Sequence, residues 1–319
     1  MSESSRALRI AAVPIMLLAG GLVSVQSQIN GRLATELGIG PRAGFASAIL
    51  SFGTGLVLVG AITAIVPSGR AGFSSLVRSV RTRSLHWTEM LGGAFGAFLV
   101  ATQGLTVGVI GVALFSIAVT AGQSASALLV DHFGLSPSGH QPLSSPRLIA
   151  AAFAVIAVVL AAGERLVESF GWTLAVFALL PLLAGAGTSV QQALNGRLSA
   201  VGGPWATTLN NFLVGLVVLV VCFGLSLFVG GELRGLPSQV WLYAGGSIGV
   251  AFIWLSAVLV RVHGVLVLSL SMIAGNVIGA ELIELLGGHT RVGWVGILAG
   301  ALTVVGVLVA VLVRPAPLP

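Results

Sequence analysis

The chain has 319 residues, of which 56% are apolar and only 8% charged, with a mean hydropathy of +1.06. A soluble domain of this size would carry roughly a quarter charged residues, so the composition excludes a water-soluble enzyme and defines an all-α integral membrane protein. The net charge of +6 comes from arginine alone; these arginines are scattered between apolar runs, which excludes a nucleic-acid face and points to membrane orientation and anionic lipid.

Crossing ~30 Å of hydrocarbon takes about 20 helical residues. In chain order, runs of that kind fall at 11–31, 43–66, 87–107, 109–130, 147–166, 171–195, 205–230, 239–260, 264–286 and 292–313, which predicts ten transmembrane helices. The first run follows Arg6 and Arg9 and resembles a signal peptide in its flank. It is too long for one and lacks a small-x-small cleavage site, so it is expected to be a retained helix. Connections between runs are short, leaving no soluble domain. With the N-terminus in the cytoplasm, ten of the fifteen arginines lie on that side, including Arg70, Arg78, Arg81 and Arg83, which predicts both termini inside. Trp87, Trp172, Trp205, Trp241 and Trp294 open predicted spans, as interfacial aromatics do.

Within the first run lies Val25-Gln26-Ser27-Gln28-Ile29-Asn30-Gly31-Arg32-Leu33, and it returns 165 positions later as Val190-Gln191-Gln192-Ala193-Leu194-Asn195-Gly196-Arg197-Leu198. Gln and Asn four residues apart share one helix face, so each copy carries a polar stripe that must face another helix or a cavity rather than lipid. The repeat continues at an offset of 153, where Gly92, Gly93 and Gly96 match Gly245, Gly246 and Gly249, Gln123 matches Asn276, and Asp131 matches Glu284. At an offset of 160, Phe52 and Gly55 match Phe212 and Gly215. Two five-helix repeats are implied, 1–166 and 167–319. An odd number of spans per repeat makes the second enter the membrane from the opposite side, giving a 5+5 inverted repeat suited to alternating access.

The candidate substrate-binding residues are the amides Gln26, Asn30, Gln191 and Asn195, with Gln123 and Asn276 at equivalent places in the fourth and ninth spans; Gln103 is a weaker candidate. The competing reading makes these amides glue between helices. Gln28 and Gln192 face elsewhere and are expected to pack. Arg32 and Arg197 are expected to snorkel at helix ends, and Asp131, Glu281 and Glu284 to be interfacial carboxylates. Glycines at four-residue spacing, such as Gly92/Gly96 and Gly245/Gly249, are expected to allow close helix approach. Cys222 is the single cysteine, the five histidines lack metal spacing, and no nucleotide, zinc-hydrolase or serine-hydrolase motif occurs. No metal or cofactor is expected, and the chain is read as not an enzyme.

The Q-x-x-x-N-G-R-L stripe, the glycine-rich third span and the five-plus-five arrangement resemble the drug/metabolite transporter superfamily, and within it the YdcZ-type inner-membrane exporters. The chain looks like two such five-helix units fused. The resemblance implies a bacterial inner-membrane secondary transporter whose cavity is lined by the first four helices of each half. Multidrug members of the superfamily carry a membrane-embedded Glu in the first helix; here Gln26 and Asn30 occupy that region. The expectation is therefore an exporter of a small neutral or zwitterionic metabolite. The alternatives are a polyspecific drug exporter and a non-transporting scaffold. The partners expected are a small-molecule substrate and membrane lipid, with no nucleic acid, and the chain is expected to act as a monomer or homodimer.

Overall fold

A computed structural model describes residues 12–135 and 172–286, together with a few isolated positions outside those ranges. Helix α1 (Val13–Leu37) opens with a proline in its first turn, where the missing N–H has no helical partner to lose. Helix α2 spans Pro41–Ile65, α3 Pro67–Arg81, α4 Gly92–His132, α5 Trp172–Ser226 and α6 Gly245–Leu286. Single 3₁₀ turns at Trp87–Leu91 and Val240–Tyr243 lead into α4 and α6. The one β ladder among the described residues is a two-residue antiparallel pair, β1 (Gly38–Ile39) against β2 (Glu232–Leu233), with Ile39 opposite Glu232.

Six described segments are long and apolar enough to cross a membrane: Val13–Leu37, Pro41–Ile65, Trp87–Val112, Leu179–Ser226, Val240–Arg261 and Val265–Ile283. At 48 residues Leu179–Ser226 is about twice a crossing length. It is two helices joined at Gly203, whose φ of 73° and ψ of 170° are not helical. Gly111 breaks α4 in the same way, with φ 75° and ψ 163°, and the helix continues from there to His132. Only glycine enters that region of φ without strain. The joint at Gly203 is followed by Pro204, just as Gly40 (φ 82°) is followed by Pro41 at the start of α2, so matching places in the two repeats use one local device. The expected spans at 147–166 and 292–313 lie outside the described residues apart from a few isolated positions.

Helix α3 differs from the short loop expected between the second and third spans. Its charged residues are all arginines (Arg70, Arg78, Arg81), and the helix buries Leu76 against Leu198 and Ala206 of α5. Polarity all along one side hides such a helix from a hydropathy scan, yet a single apolar stripe suffices to fold it against a neighbour. The helices elsewhere are nearly uniform in hydrophobicity around their circumference and bury small residues against one another. A Cβ on Gly20 would stand 1.9 Å from Met272 O, one on Gly275 1.7 Å from Leu17 O, and one on Gly185 1.9 Å from Val119 O. The packing is therefore backbone on backbone, α1 against α6 and α5 against α4. One continuous core joins them around Phe52, Phe212, Met272 and Ile273.

Asp131 departs from the interfacial role expected for it. It is 1% exposed, and its carboxylate accepts the backbone N–H groups of Val265 (3.2 Å) and Leu266 (3.1 Å) in α6. The acid gives these two backbone amides within α6 a side-chain acceptor.

Candidate functional site

Gln26 and Asn30 are one turn apart on the buried face of α1, and Gln191 and Asn195 repeat the spacing on α5. All four are at most 4% exposed, so neither stripe faces lipid. Each is received by the glycine pair of the other repeat. A Cβ on Gly249 would stand 2.8 Å from Gln26 Nε2, and one on Gly245 2.3 Å from Asn30 Oδ1; reciprocally, a Cβ on Gly96 would stand 2.5 Å from Gln191 Nε2 and one on Gly92 2.9 Å from Asn195 Oδ1. The glycine spacing read as close helix packing is thus the space in which the amides sit.

Between the stripes lies a small cavity, lined by Gln26, Ser51, Phe52, Gln191, Phe212 and Phe252 among others. Its free room admits about one or two waters. Phe52 and Phe212 meet across it at 5.0 Å between ring centroids and 44° between planes. Gly55 and Gly215 make room for these rings, since a Cβ at either would fall 2.1 or 2.2 Å from the facing phenyl. A second, smaller cavity, with free room for about one water, is lined by Gln123 and Asn276 with Val23, Thr188 and Met272, and shares Leu99 and Phe252 with the first.

The six predicted residues therefore divide. Gln26 and Gln191 line the first cavity and Gln123 and Asn276 the second, while Asn30 and Asn195 line neither and lie behind the first in hydrogen-bond networks. Asn30 Nδ2 donates to Gln103 Oε1 (2.7 Å), and Gln103 Nε2 donates to Ser27 Oγ (3.0 Å), so Gln103 belongs to the stripe of the first repeat. In the second, Gln191 Nε2 donates to Asn211 Oδ1 (2.9 Å) and Asn211 Nδ2 to Asn195 Oδ1 (2.6 Å). Ser24 Oγ donates to Asn276, reaching both its Oδ1 and its backbone O at 2.6 Å. Gln192 accepts from Ser269 Oγ at 2.8 Å and packs on Met272.

Asn211 and Ser51 were not singled out from the sequence. The signal was present, because the offset of 160 that pairs Phe52 with Phe212 also pairs their preceding residues.

Among the described residues no carboxylate lines either cavity, and no group of acids, histidines and cysteines forms a metal site. The lining offers neutral amides, the hydroxyls of Ser51 and Thr188, and aromatic walls. Such a surface binds by hydrogen bonds and apolar contact, without a buried counter-charge.

One end of the bundle is fastened by β1 and β2. Beside them the Arg42 guanidinium donates to the backbone oxygens of Ser226, Leu227, Val229 and Gly231 at 2.8–3.3 Å. At the end where α3 lies, a Cβ on Gly72 would stand 1.9 Å from Gly202 O, so that helix is seated on the joint between the two parts of α5. Arg32 stacks over Trp241 at 5.5 Å, and Arg197 donates to Gly134 O at 3.0 Å.

Buried amide stripes within a bundle of apolar helices define a polytopic membrane protein with an internal polar site. The family model described as "Putative inner membrane exporter, YdcZ" matches residues 11–160 and again 176–313, so the chain belongs to the YdcZ family of inner-membrane exporters and contains two copies of its unit. That family is a transporter class and not an enzyme class. A solved structure titled only as the crystal structure of a protein superposes with a TM-score of 0.63 over 97% of each chain at 18% identity, which shows a shared fold alone. No curated protein matches the chain.

Proposed function

We propose that the protein exports a small neutral or zwitterionic metabolite across the bacterial inner membrane by alternating access. The two halves are residues 1–166 and 167–319, five helices each with inverted topology, and both termini are cytoplasmic. The observation that carries this reading is the reciprocal docking of the amide stripes. Gln26 and Asn30 meet Gly249 and Gly245, while Gln191 and Asn195 meet Gly96 and Gly92. That exchange is the relation expected of two halves around a pseudo-two-fold axis through a central site.

The amides that line the two cavities, Gln26, Gln191, Gln123 and Asn276, contact the substrate; Asn195 holds Gln191 in place through Asn211, and Asn30 lies behind Gln26. A metabolite needs a pocket of roughly 300–1,000 Å³ that can actually be filled. The cavity here has room for about one or two waters, so it must widen, and opening one end of the bundle at a time does this without a continuous leak. The β1–β2 clasp with Arg42 closes the outer end and α3 on Gly202 the inner end. A cationic drug is disfavoured, since no carboxylate in the lining would offset the desolvation of its charge. One chain supplies both halves, so a monomer suffices. Anionic lipid is the second partner, held by Arg78 and Arg81 on α3.

The test is a reversible lock on the outer clasp. Ile39→Cys and Glu232→Cys, made in a Cys222→Ser background, place thiols at paired positions of an antiparallel ladder, where Cα separations of about 4.5–5.5 Å suit a disulfide. Oxidation is expected to abolish export of whatever the reduced protein exports, and dithiothreitol to restore it. Undiminished export by the fully crosslinked protein would refute alternating access through that end.

A further inference from the structure

The two half-sites share the Gln–Asn pair and the facing phenylalanine, and they differ at the residue just before that phenylalanine. The alignment that pairs Phe52 with Phe212 sets Ser51 against Asn211. In the second half-site Asn211 closes the stripe, accepting from Gln191 Nε2 and donating to Asn195 Oδ1 and Thr207 O. In the first, serine is too short to do either. Gln26 Nε2 turns to Gly245 O at 2.9 Å, and Asn30 Oδ1 and Ser51 Oγ are both buried without a hydrogen-bond partner among the described residues. Asn30 is 0% and Ser51 2% exposed. Buried polar groups are almost always paired, and leaving two unpaired beside one cavity destabilises a fold that a single Asn would have satisfied.

Both orphaned oxygens approach the same bare glycine. They stand 2.3 and 3.0 Å from where a Cβ of Gly245 would be, so they lie within about 5 Å of each other. One hydrogen-bonding group can bridge two oxygens at that separation, with each contact near 2.9 Å. Asn30 Oδ1 can only accept, and Ser51 Oγ lines the cavity beside Gln26. The two oxygens therefore suit a donor, and a lining with no carboxylate among the described residues suits a neutral one.

We propose that Ser51 in the cavity lining, with Asn30 Oδ1 behind it and reached as the cavity widens, forms a selective subsite that takes a hydroxyl or primary carboxamide of the cargo, while Asn211 makes the opposite half-site a fixed wall. This rests on the exporter reading and specifies its substrate class. The cargo carries at least one neutral donor at one end and an apolar part that lies against Phe52, Phe212 and Phe252.

Ser51→Asn tests the idea because it copies the closed half-site. Cells carrying an empty vector, the wild type or Ser51→Asn at equal membrane abundance are compared by untargeted profiling of medium and cytoplasm, with thermal unfolding of the purified proteins alongside. The expected result is a melting temperature at or above that of the wild type, together with a tenfold or greater loss in export of wild-type cargo, all of it bearing hydroxyl or carboxamide donors. Unchanged export, or loss confined to compounds without such donors, overturns the subsite. Should Ser51→Asn fail to accumulate, Ser51→Ala is read in its place, where a fivefold or greater loss supports the subsite and unchanged export overturns it. A wild type that matches the empty vector overturns the exporter reading, and this one with it.

Discussion

Replacing Gly96 by alanine isolates what the amide stripe contributes. The added methyl would stand 2.5 Å from Gln191 Nε2 and 3.3 Å from its Cδ, whereas a comfortable carbon–nitrogen contact is near 3.5 Å. Gln191 must therefore withdraw its amide by about 1 Å, taking it from a 2.9 Å hydrogen bond with Asn211 to beyond hydrogen-bond range. The lost bond costs about 0.5–1.5 kcal/mol. The obstructing atom is the end of a flexible side chain, so nothing in the backbone need move. Gly275→Ala is the contrasting case: its methyl would fall 1.7 Å from Leu17 O and 2.6 Å from Leu17 C, so α1 and α6 would have to separate, and overpacking of that kind costs about 1–3 kcal/mol or more. Thermal unfolding in one detergent should give the order wild type, Gly96→Ala, Gly275→Ala from most to least stable. Gly96→Ala should accumulate in the membrane yet export poorly, and Gly275→Ala should scarcely accumulate. A Gly96→Ala protein with wild-type export would show that the placement of Gln191 is irrelevant to transport.

Asp131→Ala should lower the unfolding free energy by about 1–3 kcal/mol, because the N–H groups of Val265 and Leu266 lose their acceptor. Asp131→Asn, which keeps an oxygen there, should lose less, and urea or thermal unfolding of the two variants gives the ranking. Changing Arg78, Arg81 and Arg83 together to glutamine should reduce the stabilisation that anionic lipid gives over zwitterionic lipid, by about 1 kcal/mol per arginine near the surface. Melting temperatures in nanodiscs of the two compositions measure that difference, and equal shifts for variant and wild type would count against a lipid role for α3.

Much of the helix pattern was legible because apolar runs of bilayer length have few alternatives in a chain with so little charge. The runs at 239–260 and 264–286 correspond to Val240–Arg261 and Val265–Ile283, and the glycines at 111 and 203 act as joints between helices. Helix α3 was not legible, since its serines and arginines resemble a polar connection until Leu76 is seen against Leu198. The role of Asp131 was equally hidden. Its partners lie more than 130 residues away in sequence, and only the packing of α4 against α6 brings them together.

Within the site, four-residue spacing was enough to place Gln and Asn on one helix face. It could not say that glycines of the opposite repeat would receive them, that Asn30 and Asn195 would lie behind the cavity lining, or that Gln103 would join the network. Those are cross-repeat contacts, set by how two sets of helices dock. The contrast between Ser51 and Asn211 becomes visible only when the repeat is aligned at its shorter offset and both hydrogen-bond networks are traced.

The most direct test of the central claim is the double variant Gln26→Met/Gln191→Met, which keeps the length of both side chains and removes both amides from the cavity. Medium and cytoplasm of cells expressing it at wild-type membrane abundance would be profiled against wild-type and empty-vector cells. The account predicts a metabolite enriched outside and depleted inside with the wild type only, and a double variant that matches the empty vector. A variant that exports the same compound at the same rate as the wild type would contradict the assignment of this cavity as the transport site.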